Sequence, residues 1–420
     1  MLPQLQRGLL IVALSLGSLV LLNCGEENKE AGETPAAEEV PGVTDSEIII
    51  GAHIAQSQSP AAVYASAVGA MKAYFEYVNS QGGVNGRKIT FLAGDDHFNP
   101  ADTVEVTHKL VEQNHIFAMA GSLGPACHLA VWQYLQEQGV PDLWISGGLT
   151  KFTDPVVKTA FGATPDYDTE GKAVAKYVTE NYAGKKVGLL VQNDEAGAGM
   201  EAGFRKALEA SGIDVQIVGH ESCELTDVDF TSYAQRLKAS DNPDLVVLLA
   251  NAGLAAGFMK AARDVVGWDV PFVGQTIIAG EIVPALAGPQ KVEGLVAGTF
   301  AKMASMTDDP GIQKHTEIMK QFAPNIGVSS ITVFGQIIAE LTVKALENAG
   351  PNLTRESLVE GAEAIQDWCC SLCLWPVNLS PTDHRPFETI GPVRWENGEW
   401  VLFSEPVSSE STPGKLTSCD

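Results

Sequence analysis

Lys186-Val187-Gly188-Leu189-Leu190-Val191 and Leu245-Val246-Val247-Leu248-Leu249-Ala250 are two short runs of almost unbroken apolar character. A strand with one wet face alternates polar and apolar residues. A strand covered on both faces does not, and such strands belong to parallel sheets layered between helices. The flanking sequence fits that layering. Thr169 to Asn181, Met200 to Ser211, Thr231 to Ala239 and Leu254 to Val265 carry apolar residues at helical spacing, and Val215 to Gly219 and Phe272-Val273 read as further strands. This alternation predicts a doubly wound α/β layer.

The same rhythm fills the preceding region. Ile48 to Ile54 reads as a strand, and Val63 to Ser80 as a helix that ends in the glycine turn Gln81-Gly82-Gly83-Val84-Asn85-Gly86. Lys88 to Ala93 is the next strand. Asn99-Pro100-Ala101-Asp102 opens a helix, with Pro and Asp where helix starts favour them. Ile116 to Ala120 and Leu143 to Ser146 read as strands around a helix from Pro125 to Gln138. Two successive β/α runs predict two Rossmann-like lobes. Pro310 to Gln366 reads as mostly helical, including Ser329 to Asn348. Asn397-Gly398 between Val393 and Leu402 signals a hairpin with a type I′ turn.

The N-terminus carries a different signal. Arg7 precedes an apolar run, Gly8 to Leu22, which ends in Leu21-Leu22-Asn23-Cys24-Gly25. About 15 apolar residues fall short of the ~20 a spanning helix needs. A short basic region, an apolar core and this ending predict a lipoprotein signal over 1–23, with Cys24 acylated. Gly25 is not an inner-membrane retention aspartate, which leaves the anchoring membrane open. Residues 24–42 are rich in Glu, Pro and Ala and predict a disordered tether. A Ser/Thr-rich tail covers 407–420.

Charge and cysteines narrow the function classes. Twenty-seven basic against 52 acidic residues give a net charge of −25. Such a surface repels phosphate backbones, so nucleic acid is not expected as a partner. Besides Cys24 there are Cys127, Cys223, Cys369, Cys370, Cys373 and Cys419, an even number that in an exported chain favours disulfides of undetermined pairing. Cys370 and Cys373 with His384 also admit a reading as half a metal site. No phosphate loop, GxSxG elbow or HExxH occurs, and neither cofactor nor metal is expected. Asp95-Asp96-His97 and Pro381-Thr382-Asp383-His384-Arg385 read as polar turns, the latter with a local salt bridge.

Gly42-Val43-Thr44-Asp45-Ser46-Glu47-Ile48 and Tyr74-Phe75-Glu76-Tyr77-Val78-Asn79-Ser80-Gln81-Gly82-Gly83-Val84-Asn85-Gly86-Arg87-Lys88 resemble the branched-chain amino acid (Leu/Ile/Val-type) family of periplasmic binding proteins. Gln192-Asn193-Asp194-Glu195-Ala196-Gly197 and Ser380 to Arg385 extend the similarity, which runs from about 43 to 405. The resemblance implies the type I periplasmic binding protein fold. Lobe 1 would take 43–163 and 300–378, and lobe 2 164–299 and 379–406, joined by three crossovers. A small molecule would bind in the cleft by hinge closure. A monomer anchored to the membrane would deliver it to the permease and ATPase subunits of an ABC importer, in the periplasm or at the cell surface.

The resemblance also marks a pocket. It places Tyr64, Gln56, Leu123, Pro125, Ser146, Gly148 and Thr150 on the first lobe, and Ala196, Asn251, Thr276 and Ile277 on the second. Tyr64 is equally readable as helix-start packing. Gly148 and Thr150 match the family's carboxylate-binding backbone and hydroxyl, against the plainer reading of a glycine turn. Pro125 stands where the family offers a hydroxyl and removes the backbone N–H as well. Thr276 stands where amino-acid binders carry an acidic partner for the ligand ammonium; Glu281 is the nearest substitute in sequence. A buried ammonium without a carboxylate partner is costly. The implied ligand is therefore an apolar or aromatic molecule without an ammonium group, such as a carboxylic acid held at Gly148 and Thr150. Branched-chain amino acid transport, ligand sensing without transport, an enzyme and a structural lipoprotein are the alternatives. The lack of catalytic constellations weighs against the enzyme, and a cleft between two lobes against the structural role.

Overall fold

A computed structural model describes residues 40–409 and 418–419. The signal, Cys24 and nearly all of the tether lie outside the described residues. The first sheet is built from β1 (Glu47–Ile54), β2 (Lys88–Asp95), β3 (Ala118–Ala120), β4 (Asp142–Ile145) and β5 (Ala160–Gly162), all parallel, in the order β2-β1-β3-β4-β5. Between them run α1 (Ala65–Ser80), α2 (Pro100–His108) and α3 (Pro125–Glu137).

The second half follows with α4 (Tyr167–Asn181), β6 (Lys186–Gln192), α5 (Glu195–Ser211), β7 (Gln216–Cys223), α6 (Thr231–Ala239), β8 (Leu245–Leu249), α7 (Ala252–Asp264), β9 (Phe272–Gly274), α8 (Ile282–Ala287) and β10 (Val296–Thr299). Three helices come next: α9 (Pro310–Phe322), α10 (Ser330–Ala349) and α11 (Arg355–Glu363). The strands β11 (Thr389–Glu396), β12 (Glu399–Leu402) and β13 (Val407–Ser408) close the chain. The second sheet has the order β12-β11-β10-β9-β8-β6-β7, parallel from β7 to β10, with the antiparallel hairpin β11–β12 at its edge. Asn397 and Gly398 both have positive φ, as a type I′ turn demands. All five residues of β8 are buried, in keeping with cover on both faces. Residues of β1, β3 and β4 share one core with α10 and α11, so the C-terminal helices pack on the first sheet.

Several boundaries differ from the sequence reading, each for a local reason. The helix expected from Val63 begins as a 3-10 turn, Pro60–Tyr64, because the Ser59 hydroxyl accepts from Ala61 N; α1 proper starts at Ala65. α5 starts five residues ahead of Met200. The Asp194 carboxylate caps Ala196 N and Gly197 N, and the glycines that weaken helix propensity let α5 pack close: a Cβ on Gly203 would lie 1.9 Å from the Tyr167 carbonyl oxygen. Asn251 likewise starts α7 at Ala252 rather than Leu254. β5 was not expected.

The half-metal-site reading of Cys370 and Cys373 is overturned. Cys370 pairs with Cys373 and Cys369 with Cys419, while Cys127 and Cys223 are free and buried. His384 lies elsewhere, buried and stacked on Phe161 with ring centroids 3.8 Å apart. Its neighbours keep the local ion pair, Arg385 Nη2 to Asp383 Oδ2 at 2.8 Å. Cys419 N also donates to Leu374 O at 2.9 Å, so Cys419 itself is held to the fold by both bonds.

Candidate functional site

The carboxyl ends of the parallel strands face a cavity of about 220 Å³. Nine of the eleven residues marked in the sequence line it: Tyr64, Leu123, Pro125, Ser146, Gly148, Ala196, Asn251, Thr276 and Ile277. Gln56 and Thr150 do not. Gln56 is held at the end of β2, its backbone N–H donating to Asp95 Oδ1 and its side-chain amide to Ala93 O. Thr150 opens a 3-10 turn, and its carbonyl accepts from Thr153 and Asp154. Glu281 is also outside the lining; its carboxylate accepts from Ser330 N and Oγ at 2.9 and 2.7 Å, across the start of α10.

Helix starts gather around the cavity. Pro125 is the first residue of α3, Ala196 lies in the first turn of α5, and Asn251 caps α7. Their dipoles favour negative charge, but side chains already satisfy part of their free N–H groups. Asp194 does so for α5, and Asn251 accepts from Gly253 N and Leu254 N. At α3 the proline has no N–H to give. Gly148 must stay a glycine for a different reason: a Cβ there would meet the Tyr167 ring at 2.6 Å.

Much of the remaining wall is apolar and was not marked in the sequence. Met71, Phe98, Met200, Leu225, Phe300, Met303, Phe334 and Ile338 all contribute. Phe98 has φ of +56°, and its ring fills the space that a Cβ on Gly124 would need. The lining cation, Lys302, is paired to Asp309 at 2.7 Å.

Glu170 is the group the sequence reading missed. It lies in the first turn of α4, where carboxylates usually serve the helix dipole. Here its oxygens accept from Thr276 N at 3.0 Å and from the Thr276 hydroxyl, joining residues 106 positions apart. Burial pushes its pKa up to about 7, against the two Thr276 hydrogen bonds, which hold it down. Three polar side-chain atoms at the cavity have no hydrogen-bond partner: the Ser146 hydroxyl, the Gln275 amide nitrogen and the Tyr64 hydroxyl. The Tyr64 hydroxyl lies by the Ala252 backbone without normal hydrogen-bond geometry. These atoms can donate to an oxygen-bearing group, and the rest of the wall can take a hydrocarbon or an aromatic ring.

The family model for periplasmic binding proteins matches residues 47–399. A leucine-, isoleucine-, valine-, threonine-, and alanine-binding protein of Pseudomonas aeruginosa is 25% identical over 286 residues, 66% of this chain and 71% of its own length. The match to an amino acid binding protein of the same organism spans 58% of that relative's length. A branched chain amino acid ABC transporter structure from Thermus thermophilus with bound valine has a TM-score of 0.79 at 22% identity, covering 87% of this chain and 97% of that one. A fatty acid ABC transporter substrate-binding protein from Thermomonospora curvata has a TM-score of 0.76 at 24% identity, covering 89% and 95%. Strand order, cleft and family match lead to one conclusion: this chain belongs to the periplasmic binding protein family, has the type I fold, and is an extracytoplasmic solute-binding protein and not an enzyme.

Proposed function

We propose that this chain is the receptor subunit of an ABC importer, and that its cleft closes on an apolar or aromatic carboxylic acid without an ammonium group. In this reading 43–163 with 300–378 and 164–299 with 379–406 are the two lobes, and the three crossings between them are the hinge. The receptor works as a monomer, held at the membrane by acylated Cys24.

The observation that carries the ligand class is the state of Glu170. It is the carboxylate in the cavity wall, and Thr276 already engages both of its oxygens. An arriving ammonium would have to be stripped of water beside a carboxylate with a pKa near 7, which is only partly ionised at neutral pH. The unpartnered donors Ser146, Gln275 and Tyr64 suit a carboxylate instead. Five methylene groups buried in the apolar wall contribute about 4 kcal/mol, roughly half of what a micromolar complex needs. Hydrogen bonds to the acid group would supply the remainder. The relative from Thermomonospora curvata is described as a fatty acid transporter subunit, which accords with this reading.

Glu170 also gives the second reading its footing. Among the described residues no cation is its partner, so an amino-acid ammonium would find a carboxylate there after all. The Pseudomonas relative and the valine-bound Thermus structure point the same way. Calorimetric titration of refolded, ligand-free protein with leucine and with 4-methylpentanoate, which is leucine without its amino group, separates the two. The proposal expects heat with the acid and none with leucine; the reverse result replaces it with branched-chain amino acid uptake. For the anchor, Cys24→Ala should shift the protein from the membrane fraction to the soluble fraction. Unchanged membrane association would remove Cys24 from the proposal.

A further inference from the structure

Behind the first-sheet wall of the cavity lies a chain of four buried ionisable side chains. His53 on β1 places Nδ1 2.9 Å from Asp96 Oδ2 and Nε2 3.1 Å from His128 Nδ1 on α3; His128 Nε2 in turn lies 2.7 Å from Asp142 Oδ2 on β4. Exposure is 0% for His53, Asp96 and His128 and 2% for Asp142. The sequence marked Asp95-Asp96-His97 only as a turn.

We propose that this Asp96–His53–His128–Asp142 chain stores one proton and positions the ligand-contacting loops, so that cavity shape follows its protonation.

Hydrogen counting carries the first half. The chain has three links, and each needs one hydrogen between two heavy atoms. Two neutral imidazoles beside two carboxylates hold only two. A third is required, whether it rests on an imidazole or on a carboxyl oxygen. Its removal leaves two lone pairs facing each other in a site without water access. A fourth hydrogen sets two N–H groups against each other between the rings. With both carboxyls ionised, only the three-hydrogen state satisfies every link, so the intact chain exists in a pH window with an acid edge and an alkaline edge.

Of the surrounding charges, His97 acts electrostatically on Asp96 from the adjoining turn, and the others are engaged by neighbours of their own. At the end of β2, Asp95 is occupied by Gln56 N and Ser57 Oγ, and in the turn that follows His97 is paired with Asp102 of α2. Thr103 of α2 donates to Asp96 at 3.1 Å, and α3 adds the buried Cys127 thiol, whose pKa burial pushes up to about 12. Asp194 of α5 acts on Cys127 from beyond these elements. Phe152 and Trp132 close over His128. Among the described residues, no lysine or arginine is a hydrogen-bond or ion-pair partner of any of the four. Burial holds His53 below the ordinary imidazole range.

Backbone bonds carry the second half. Asp96 Oδ1 accepts from Phe98 N at 3.0 Å and so fixes the left-handed turn at His97 and Phe98. His53 O accepts from Leu123 N at 3.0 Å, and His128 N donates to Gly124 O at 2.8 Å. Phe98, Leu123 and Gly124 all line the cavity. Whatever occupies the cleft, the chain sits one bond behind its wall.

Carboxylate-to-amide changes make the test specific. In Asp142→Asn the new amide donates to His128 Nε2, His128 Nδ1–H donates to His53, and His53 Nδ1–H donates to Asp96. All three links are then filled without the stored proton. Asp96→Asn does the same from the other end. Ring-nitrogen and amide resonances of the folded protein, followed between about pH 5 and 9, should show two transitions, shared by both imidazoles and by the Phe98, Leu123 and Gly124 amides. Each amide variant should keep the acid transition and lose the alkaline one. A structural packing role predicts no such selective loss. Wild-type rings that do not titrate in this range, loop amides that stay flat while the rings titrate, or an alkaline transition retained in a folded variant would each overturn the proposal.

Discussion

The two walls of the cleft are built on opposite principles. The first-sheet wall is mostly hydrocarbon and rings, such as Met71, Phe98, Leu123, Phe334 and Ile338, with the Tyr64 and Ser146 hydroxyls and the paired Lys302 among its few polar groups. The second-sheet wall carries Glu170, Gln192, Asn251, Gln275 and Thr276, yet most of these polar groups are bonded to one another. Glu170 holds Thr276, Gln192 Oε1 accepts from Asn251 N at 3.1 Å, and Asn251 caps α7. A wall can thus be rich in polar atoms and still offer few to a ligand. Buried polar groups must be satisfied, and here neighbours do it in advance. Selectivity then depends on the few atoms left over.

Glu170→Gln is the strongest way to break this contrast. The wild-type carboxyl has a folded pKa of about 7, above its ordinary value near 4.3. Between those two values the folded state binds more protons than the unfolded state, so stability falls as pH rises through the window. Above pH ~7 the full cost applies, on the order of 3 kcal/mol. Glutamine carries no charge and still accepts from Thr276 N. Thermal unfolding of Glu170→Gln should therefore give a higher midpoint than wild type at pH 8, with the gap closing toward pH ~4. Binding of 4-methylpentanoate should survive, because that ligand needs no carboxylate partner. An equal or lower midpoint at pH 8 would show that Glu170 is already paired with a cation, and the second wall would have to be redrawn.

How far this contrast was legible beforehand depended on sequence distance. β6 and β8 were readable because burial on both faces erases alternation within a single run. β5 was not: Ala160-Phe161-Gly162 is too short for a period, and pairing with β4 defines it. The cavity positions at helix starts and strand ends, Pro125, Ser146 and Asn251, came from the family resemblance. Glu170 did not, because its role exists only through Thr276, 106 residues away. Phe98 needed a left-handed backbone that nothing in Asp96-His97-Phe98-Asn99 announces. Gln56 and Thr150 sat at the right strand ends, but local hydrogen bonds engage them away from the cavity lining.

Ser146→Ala sharpens the comparison from the other side, with a smaller effect. The Ser146 hydroxyl is buried, the residue 6% exposed, and it has no partner. In the ligand-free protein such a group contributes nothing and carries its own desolvation cost, so its removal should leave stability unchanged or raise it by up to about 1 kcal/mol. Bound to a carboxylate, the same hydroxyl donates a charge-assisted hydrogen bond, typically about 1.5–3 kcal/mol. Ser146→Ala should accordingly weaken binding of 4-methylpentanoate by roughly ten- to a hundredfold while leaving the unfolding midpoint of the free protein intact. The two readouts move apart only if the hydroxyl is reserved for a ligand. A variant that binds the acid as well as wild type would assign the orphaned hydroxyl to internal packing, and the acid group would have to be held by Tyr64 or Gln275 instead.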